Sequence, residues 1–184
     1  MNIFVLDINP RIAAIYHNDR HCVKMILETA QLLCTAHLIT DGDRTAKSQI
    51  GELILRPTHM HHPCAVWARE CSLNYEWLHE LGVGLLDQYT QRYGKTHSFD
   101  QLYVKLNKLP LNLQHLAMRT PFPQCMPEAY KQDDPVEAYR DYYFYEKQHL
   151  AMWKAPADVP YWWKERKRAA VKLHQIRKEQ GAVR

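Results

Sequence analysis

Five polar residues, His17, His21, Lys24, Glu28 and Gln31, recur at intervals of three or four along one stretch of the chain. At about 100° per residue they fall in one narrow stripe of a helix. Within two turns the stripe offers a base, a cation and an acid. A lysine beside a carboxylate serves as a nucleophile or an electrostatic clamp when burial lowers its pKa, and histidine moves protons near neutrality. The same types on a wet helix face form ordinary i, i+4 pairs. A helix must position the stripe, and its start is readable. Asn9 is a capping residue and Pro10 suits a first turn, where its missing N–H is no loss. Ile12, Ile15, Tyr16, Val23, Ile26, Leu27, Ala30 and Leu33 form the opposite, apolar face. The spacing predicts one helix from residue 9 to about residue 37.

Three acidic or imidazole groups complicate that pattern. Asp19 and His37 project toward the apolar side, where a carboxylate needs a partner. Asp19 either forms a structural salt bridge at the core margin or orients a neighbouring catalytic group. Asp7 closes the run Ile3-Phe4-Val5-Leu6, which predicts a short buried strand paired with residues 52–55. Its carboxylate is either functional or bonded to the free N–H groups of the helix that follows.

Further along, His59, His61 and His62 bring three imidazoles into four positions, a candidate metal site in which neutral imidazole would be the ligand. The trio lacks the i, i+4 spacing of helical zinc motifs and has no C-x-x-C partner, so no metal or other cofactor is expected. His62 is alternatively expected at the mouth of a cleft, since Pro63 opens a long helix predicted over residues 63–93. Asn74 falls inside that helix's apolar stripe, tying helices together or meeting a ligand. Gly82 and Gly84 are expected to loosen or bend it, and Gly94 to end it. Ser98 and Gln101 are spaced as a capping box for a helix stopping near Pro110. Three prolines within residues 119–128 make a stiff loop carrying Phe122 and Met126 against the body, with Gln124 at its tip as a contact for a base or amide. Asp134, Pro135 and Glu137 start a helix expected to run to Lys154. Its stripe of Tyr139, Tyr142, Tyr143, Leu150 and Trp153 is flanked by Arg140, Lys147 and Lys154, and rings beside a row of cations stack bases and hold phosphates.

Composition bounds the rest. The chain has 184 residues and 46% apolar content, enough for one domain with a real core. No uninterrupted apolar run approaches the roughly 18 residues of a membrane span, and the opening residues carry no basic leader, so a cytoplasmic protein without a membrane partner is expected. The five cysteines are odd in number and suggest small buried hydrophobes rather than a disulfide framework. The net charge of +4 is lopsided: residues 164–184 hold eight Lys or Arg against Glu165 and Glu179, a balance of +6 that leaves −2 for residues 1–163. The expected organisation is therefore a helical body over 1–163 and a basic tail over 164–184. Arg166, Lys167 and Arg168 open that tail, which suits a polyanion or a solvated terminal helix.

The pattern Asp19-x-His21-x-x-Lys24-Met25-x-x-Glu28, with His62-Pro63 and Tyr139-Arg140-x-Tyr142-Tyr143-x-x-x-Lys147, resembles a family of small phage-type proteins. That resemblance covers most of the chain and brings no activity with it. The chain is more faintly similar to helical phage enzymes that modify pyrimidine bases in DNA. No Ser-His-Asp elbow, Gly-rich phosphate loop or paired C-x-x-C is present, which argues against hydrolase, nucleotide-kinase and zinc-deaminase readings. The expectation is a mainly α single domain of five to six helices with a short N-terminal strand. Its leading function is base modification, or a glycosylase-like activity, on nucleic acid or a nucleotide. Asp7, Asp19, His21, Lys24 and Glu28 would supply the chemistry. His17, Gln31, His62, Asn74, Gln124, Tyr139, Arg140, Tyr143, Lys147 and the tail cations would hold the substrate. A non-enzymatic nucleic-acid-binding or inhibitor protein and a histidine-based metal protein are the alternatives.

Overall fold

Asn9 ends its extended segment by accepting from the backbone N–H groups of Arg11 and Ile12, and a helix follows at once. The computed structural model describes residues 2–181, with the side chains of His174 and of residues 176–181 left aside. Its regular structure comprises three short 3-10 turns and eight α-helices: α1 Pro10–Tyr16, α2 Asp19–Asp41, α3 Asp43–Ile50, α4 Pro63–Ala68, α5 Ser72–Tyr93, α6 Asp100–Leu106, α7 Pro135–Glu146 and α8 Tyr161–Gly181. The protein is mainly α, as its periodicity predicts.

The expected first helix is two. His17 and Asn18 adopt extended backbone, and the Asn18 side chain accepts from the His21 N–H at 2.9 Å, capping a second helix. This break lets α1 and α2 each lie against α5. It also turns the faces. Ile12, Ile15, Val23 and Leu27, assigned to the core, are 36%, 42%, 39% and 40% exposed, whereas His17 and His21 are buried. The helix expected over 63–93 is likewise interrupted, at Arg69–Cys71, between α4 and α5. Gly82 and Gly84 do not loosen α5. A Cβ at Gly82 would collide with the Tyr103 ring, and one at Gly84 would sit 2.8 Å from the Ala14 Cβ, so both are contact points where α6 and α1 approach closely.

The N-terminal strand is absent among the described residues, and residues 51–53 form a 3-10 turn rather than a partner for it. Residues 3–6 are nonetheless buried. Side chains take the place of a β ladder: Asn2 Oδ1 accepts from the Ile3 N–H at 2.8 Å, and Leu6 O accepts from Arg140 Nε at 2.9 Å. A buried backbone needs partners but not a sheet. Phe4 has φ of 38°, a conformation a bulky residue rarely adopts, and it places the ring between α2 and α7.

Other boundaries move for local reasons. The Phe99 N–H donates to His97 Nδ1 at 3.1 Å and α6 begins at Asp100, later than the Ser98–Gln101 capping box implies. Asp134 caps α7 as expected, accepting from the Val136 N–H at 2.8 Å, but the helix ends at Glu146 rather than Lys154. By length and composition α2 is apolar and long enough to cross a bilayer. Its buried face is already covered by α3, α4, α5 and α6, the arrangement of a core helix. The proline-bearing loop packs as expected, with Phe122 buried against Trp67 and Trp77. Helix α8 begins at Tyr161, before the expected tail boundary at 164, and its Trp163 packs on Phe144 and Trp153.

Candidate functional site

The hinge at His17–Asn18 directs the start of α2 toward α7. The Asn18 N–H donates to the Tyr143 hydroxyl at 3.1 Å, and that hydroxyl meets His21 Nδ1 at 2.8 Å. With its lone pairs facing the N–H, the hydroxyl has its own proton to give to Nδ1, which assigns the His21 hydrogen to Nε2. Phe4 stacks on the His21 ring with centroids 4.7 Å apart. Burial, then the positive fields of His17, Lys147, Lys24 and His149, push His21 down to about 3. His17 is held down at about 4, chiefly by burial, and its Nδ1 lies 2.7 Å from Ala13 O. Both imidazoles are therefore neutral at pH 7, and His21 acts as a hydrogen-bond donor rather than a cation.

Beyond His21 the stripe is open. Lys24 Nζ pairs with Glu28 Oε1 at 3.0 Å, with Lys24 67% and Glu28 14% exposed at their side chains. Glu28 is thus a mostly desolvated carboxylate whose single ion-pair partner sits in water. Its field acts on His62, opposing the burial that lowers that imidazole. Gln31, one turn on, is half-buried. Across from α2, half-buried Tyr142 lies parallel to Phe4 with centroids 6.3 Å apart, and Lys147 Nζ is 5.0 Å from the Tyr142 ring centre. Next to Tyr142 runs a groove of about 660 Å³ whose walls include His62, Gln124, Cys125 and Met126. His62 and Tyr142 share that groove, the fields of Lys24 and Lys147 both reach His21, and that of Glu28 reaches His62.

Several residues named from the sequence are occupied elsewhere. Asp19 pairs with Arg92 Nη1 at 3.1 Å and accepts from the Lys154 N–H at 3.0 Å. Arg92, a residue the sequence did not single out, also donates to the carbonyls of His17 and Ile15 and to Gln88. It is the knot that holds the hinge. Asp7 accepts from the Asn9 N–H at 3.0 Å and pairs with Arg140 at 3.2 Å. Arg140 is buried, bonded also to Leu6 O and Glu137, and ringed by Tyr16, Tyr161 and Trp162. Asn74 donates to Trp67 O at 2.8 Å and to Thr120 at 2.7 Å, and accepts from the Thr120 N–H at 3.1 Å, tying α4, α5 and the proline-bearing loop together. Tyr139 and Tyr143 are fully buried, so neither ring presents a face for stacking. Gln124 lines the groove, but its amide forms a two-way bond with the Gln132 backbone at 2.6 and 3.0 Å. Arg166 is held by Asp141 and Glu137, both at 2.7 Å, while Lys167 and Arg168 are exposed. The side chains of Arg177 and Lys178, and the whole of Arg184, lie outside the described residues.

The histidine trio does not converge. His59 and His61 are exposed, and His59 Nδ1 lies 2.7 Å from the Thr58 hydroxyl. His62 instead joins Cys64 and Cys125, with one donor atom from each residue within 4.8 Å of the others. The Cys64 S–H donates to Cys125 Sγ at 3.4 Å, which brings the Cys125 thiol down to about 7 while the same bond, with burial, drives Cys64 up. Sixty-one residues separate the two cysteines, and no spacing rule reaches across that distance. The one local sign is His62-Pro63-Cys64.

Comparisons with protein-family models, with curated proteins and with solved structures return no match.

Proposed function

We propose that this protein is an enzyme acting on nucleic acid or on a nucleotide, modifying a base or cleaving its glycosidic bond at the surface shared by α2 and α7. The observation that carries this reading is the meeting of the α2 stripe with the aromatic, cationic face of α7, bridged by the 2.8 Å contact from His21 to Tyr143. In this reading Glu28 is the reactive carboxylate. Mostly desolvated and beside one exposed cation, it can take a proton from a nucleophile or stabilise positive charge developing on a sugar. Lys24 and Lys147 hold phosphate, and the half-buried Tyr142 ring, rather than Tyr143, is the platform for a base. His21 contributes a neutral Nε2–H donor of fixed tautomer.

The test is base release or modification on a single-stranded oligonucleotide, with Glu28→Gln as the decisive variant. Activity should fall by roughly 10²- to 10⁴-fold, the range for loss of a general acid or base, with the melting temperature unchanged. An unchanged rate removes Glu28 from the chemistry.

The exposed cations Lys164, Lys167, Arg168 and Lys172 along α8 favour a second reading, a nucleic-acid-binding protein without turnover. Replacing Lys167, Arg168 and Lys172 by Glu separates the two. A pure binder loses function and most of its salt dependence, whereas an enzyme keeps its turnover on a mononucleotide.

A further inference from the structure

We propose that His62, Cys64 and Cys125 form a metal site for a tetrahedral d¹⁰ divalent ion, with Zn²⁺ the occupant that its donor set favours. This goes beyond the proposed activity and shares with its surface only His62. Two sulfurs and one imidazole nitrogen are zinc donors, and all three lie within 4.8 Å of one another. A tetrahedral zinc with Zn–S bonds of about 2.3 Å holds its sulfurs about 3.8 Å apart. The sulfurs here are 3.4 Å apart, so a shift of a few tenths of an ångström admits the ion. A disulfide would need them to close to about 2.05 Å.

The donors are held by separate parts of the fold. His62 caps α4, its Nδ1 accepting from the Cys64 N–H at 3.2 Å, and Cys64 sits on the first turn of that helix. Ligation by Nδ1 would exchange this long bond for the ion and keep the Nε2–H for the groove. Cys125 is pinned on both sides. Its carbonyl accepts from Asn2 Nδ2 at 2.8 Å, and its N–H donates to the Tyr139 hydroxyl at 3.4 Å, which in turn donates to Pro123 O at 2.6 Å. Such outer bonds fix ligand direction in metal sites. Two thiolates cancel the charge of the ion, so it adds no net charge to a position where Cys64 is fully buried. Three protein donors leave one vertex of the tetrahedron, and His62 and Cys125 both line the groove of about 660 Å³, which can supply a water or a ligand there.

Full-length protein, kept reduced with a phosphine, is titrated with Co²⁺ and then with Zn²⁺. Expected are thiolate-to-cobalt charge-transfer absorption, the intense visible bands of four-coordinate Co²⁺, and their loss when Zn²⁺ displaces the probe. Cys125→Ser, on a half-exposed loop, should weaken Co²⁺ binding by at least about 100-fold, a greater loss than outer-sphere changes cause. His62→Gln should weaken it too, and His59→Gln should bind like the parent. Zn²⁺ should also protect Cys125 in the parent chain from an aromatic disulfide reagent, a readout independent of whether any variant folds. Absence of Co²⁺ uptake by the reduced parent overturns the site, as does a Cys125→Ser protein that binds as tightly, or a Cys125 that reacts equally fast with and without Zn²⁺.

Discussion

The two ends of one surface of α2 differ in what their polar groups have left to do. At the hinge, Asp19, Arg92, Asn18, His21 and Tyr143 bond to one another and to nearby carbonyls, and Arg92 alone makes five hydrogen bonds to four acceptor atoms, on Asp19, His17, Ile15 and Gln88. One to two turns away, Lys24 and Glu28 hold only each other among the described residues, and His62 and Cys125 face a groove. The residue types at the two ends are the same: carboxylate, cation, imidazole. What separates architecture from candidate chemistry is the supply of partners, since a saturated charge is locked in place and an unsaturated one at a surface is available to a ligand.

Acid should break the hinge first and furthest. His17 and His21 have folded-state values of about 4 and about 3, below the ordinary 6.5, so the unfolded chain binds protons that the native one refuses. Stability is complete above pH 6.5 and falls as the pH drops toward those values, each imidazole costing about 2–3 kcal/mol by pH 4. Urea midpoints taken from pH 7 to pH 4 should show the slope, and His21→Asn should flatten it. Arg92→Leu comes next. It strands Asp19 at the core margin and frees two carbonyls, for a loss of about 3–5 kcal/mol in thermal or urea unfolding. Asn74→Ala, which unpairs the Thr120 N–H and the Trp67 carbonyl, should cost about 1–3 kcal/mol and lower the melting temperature by several degrees. Lys24→Ala marks the other extreme. Lys24 is itself the exposed member of its pair with Glu28, so stability should move by less than about 0.5 kcal/mol while affinity for a mononucleotide falls. A large stability change at Lys24, or a small one at Arg92, would erase the distinction between the two ends.

Readable from the sequence were features settled within four or five residues. The Asn9 and Asp134 caps, the left-handed Gly94 at the end of α5 with φ of 64° and the helix-tying role of Asn74 follow expectation. So does the alternative in which Asp7 serves the start of α1. Helix boundaries moved for local reasons, and the larger errors involve a partner distant in the chain. Residues 3–6 are β-branched or aromatic enough to read as a strand, yet Arg140 and Asn2 satisfy their backbone without one. His17 and His21 read as part of a polar stripe, an active site or a wet face, on the side of one helix away from the core, and the break that Asn18 caps turns them inward.

Sequence by itself determined that this chain is helical, that Asn9 and Asp134 cap helices, and that imidazole, ammonium and carboxylate groups would share one side of α2, because these depend on backbone hydrogen bonds and a period of 3.6 residues. Only tertiary structure decided which of those groups are locked and which are open, and that Cys64 and Cys125 stand 3.4 Å apart beside His62. Burial and pairing are properties of what arrives from elsewhere in the chain, and a one-dimensional pattern carries no record of it.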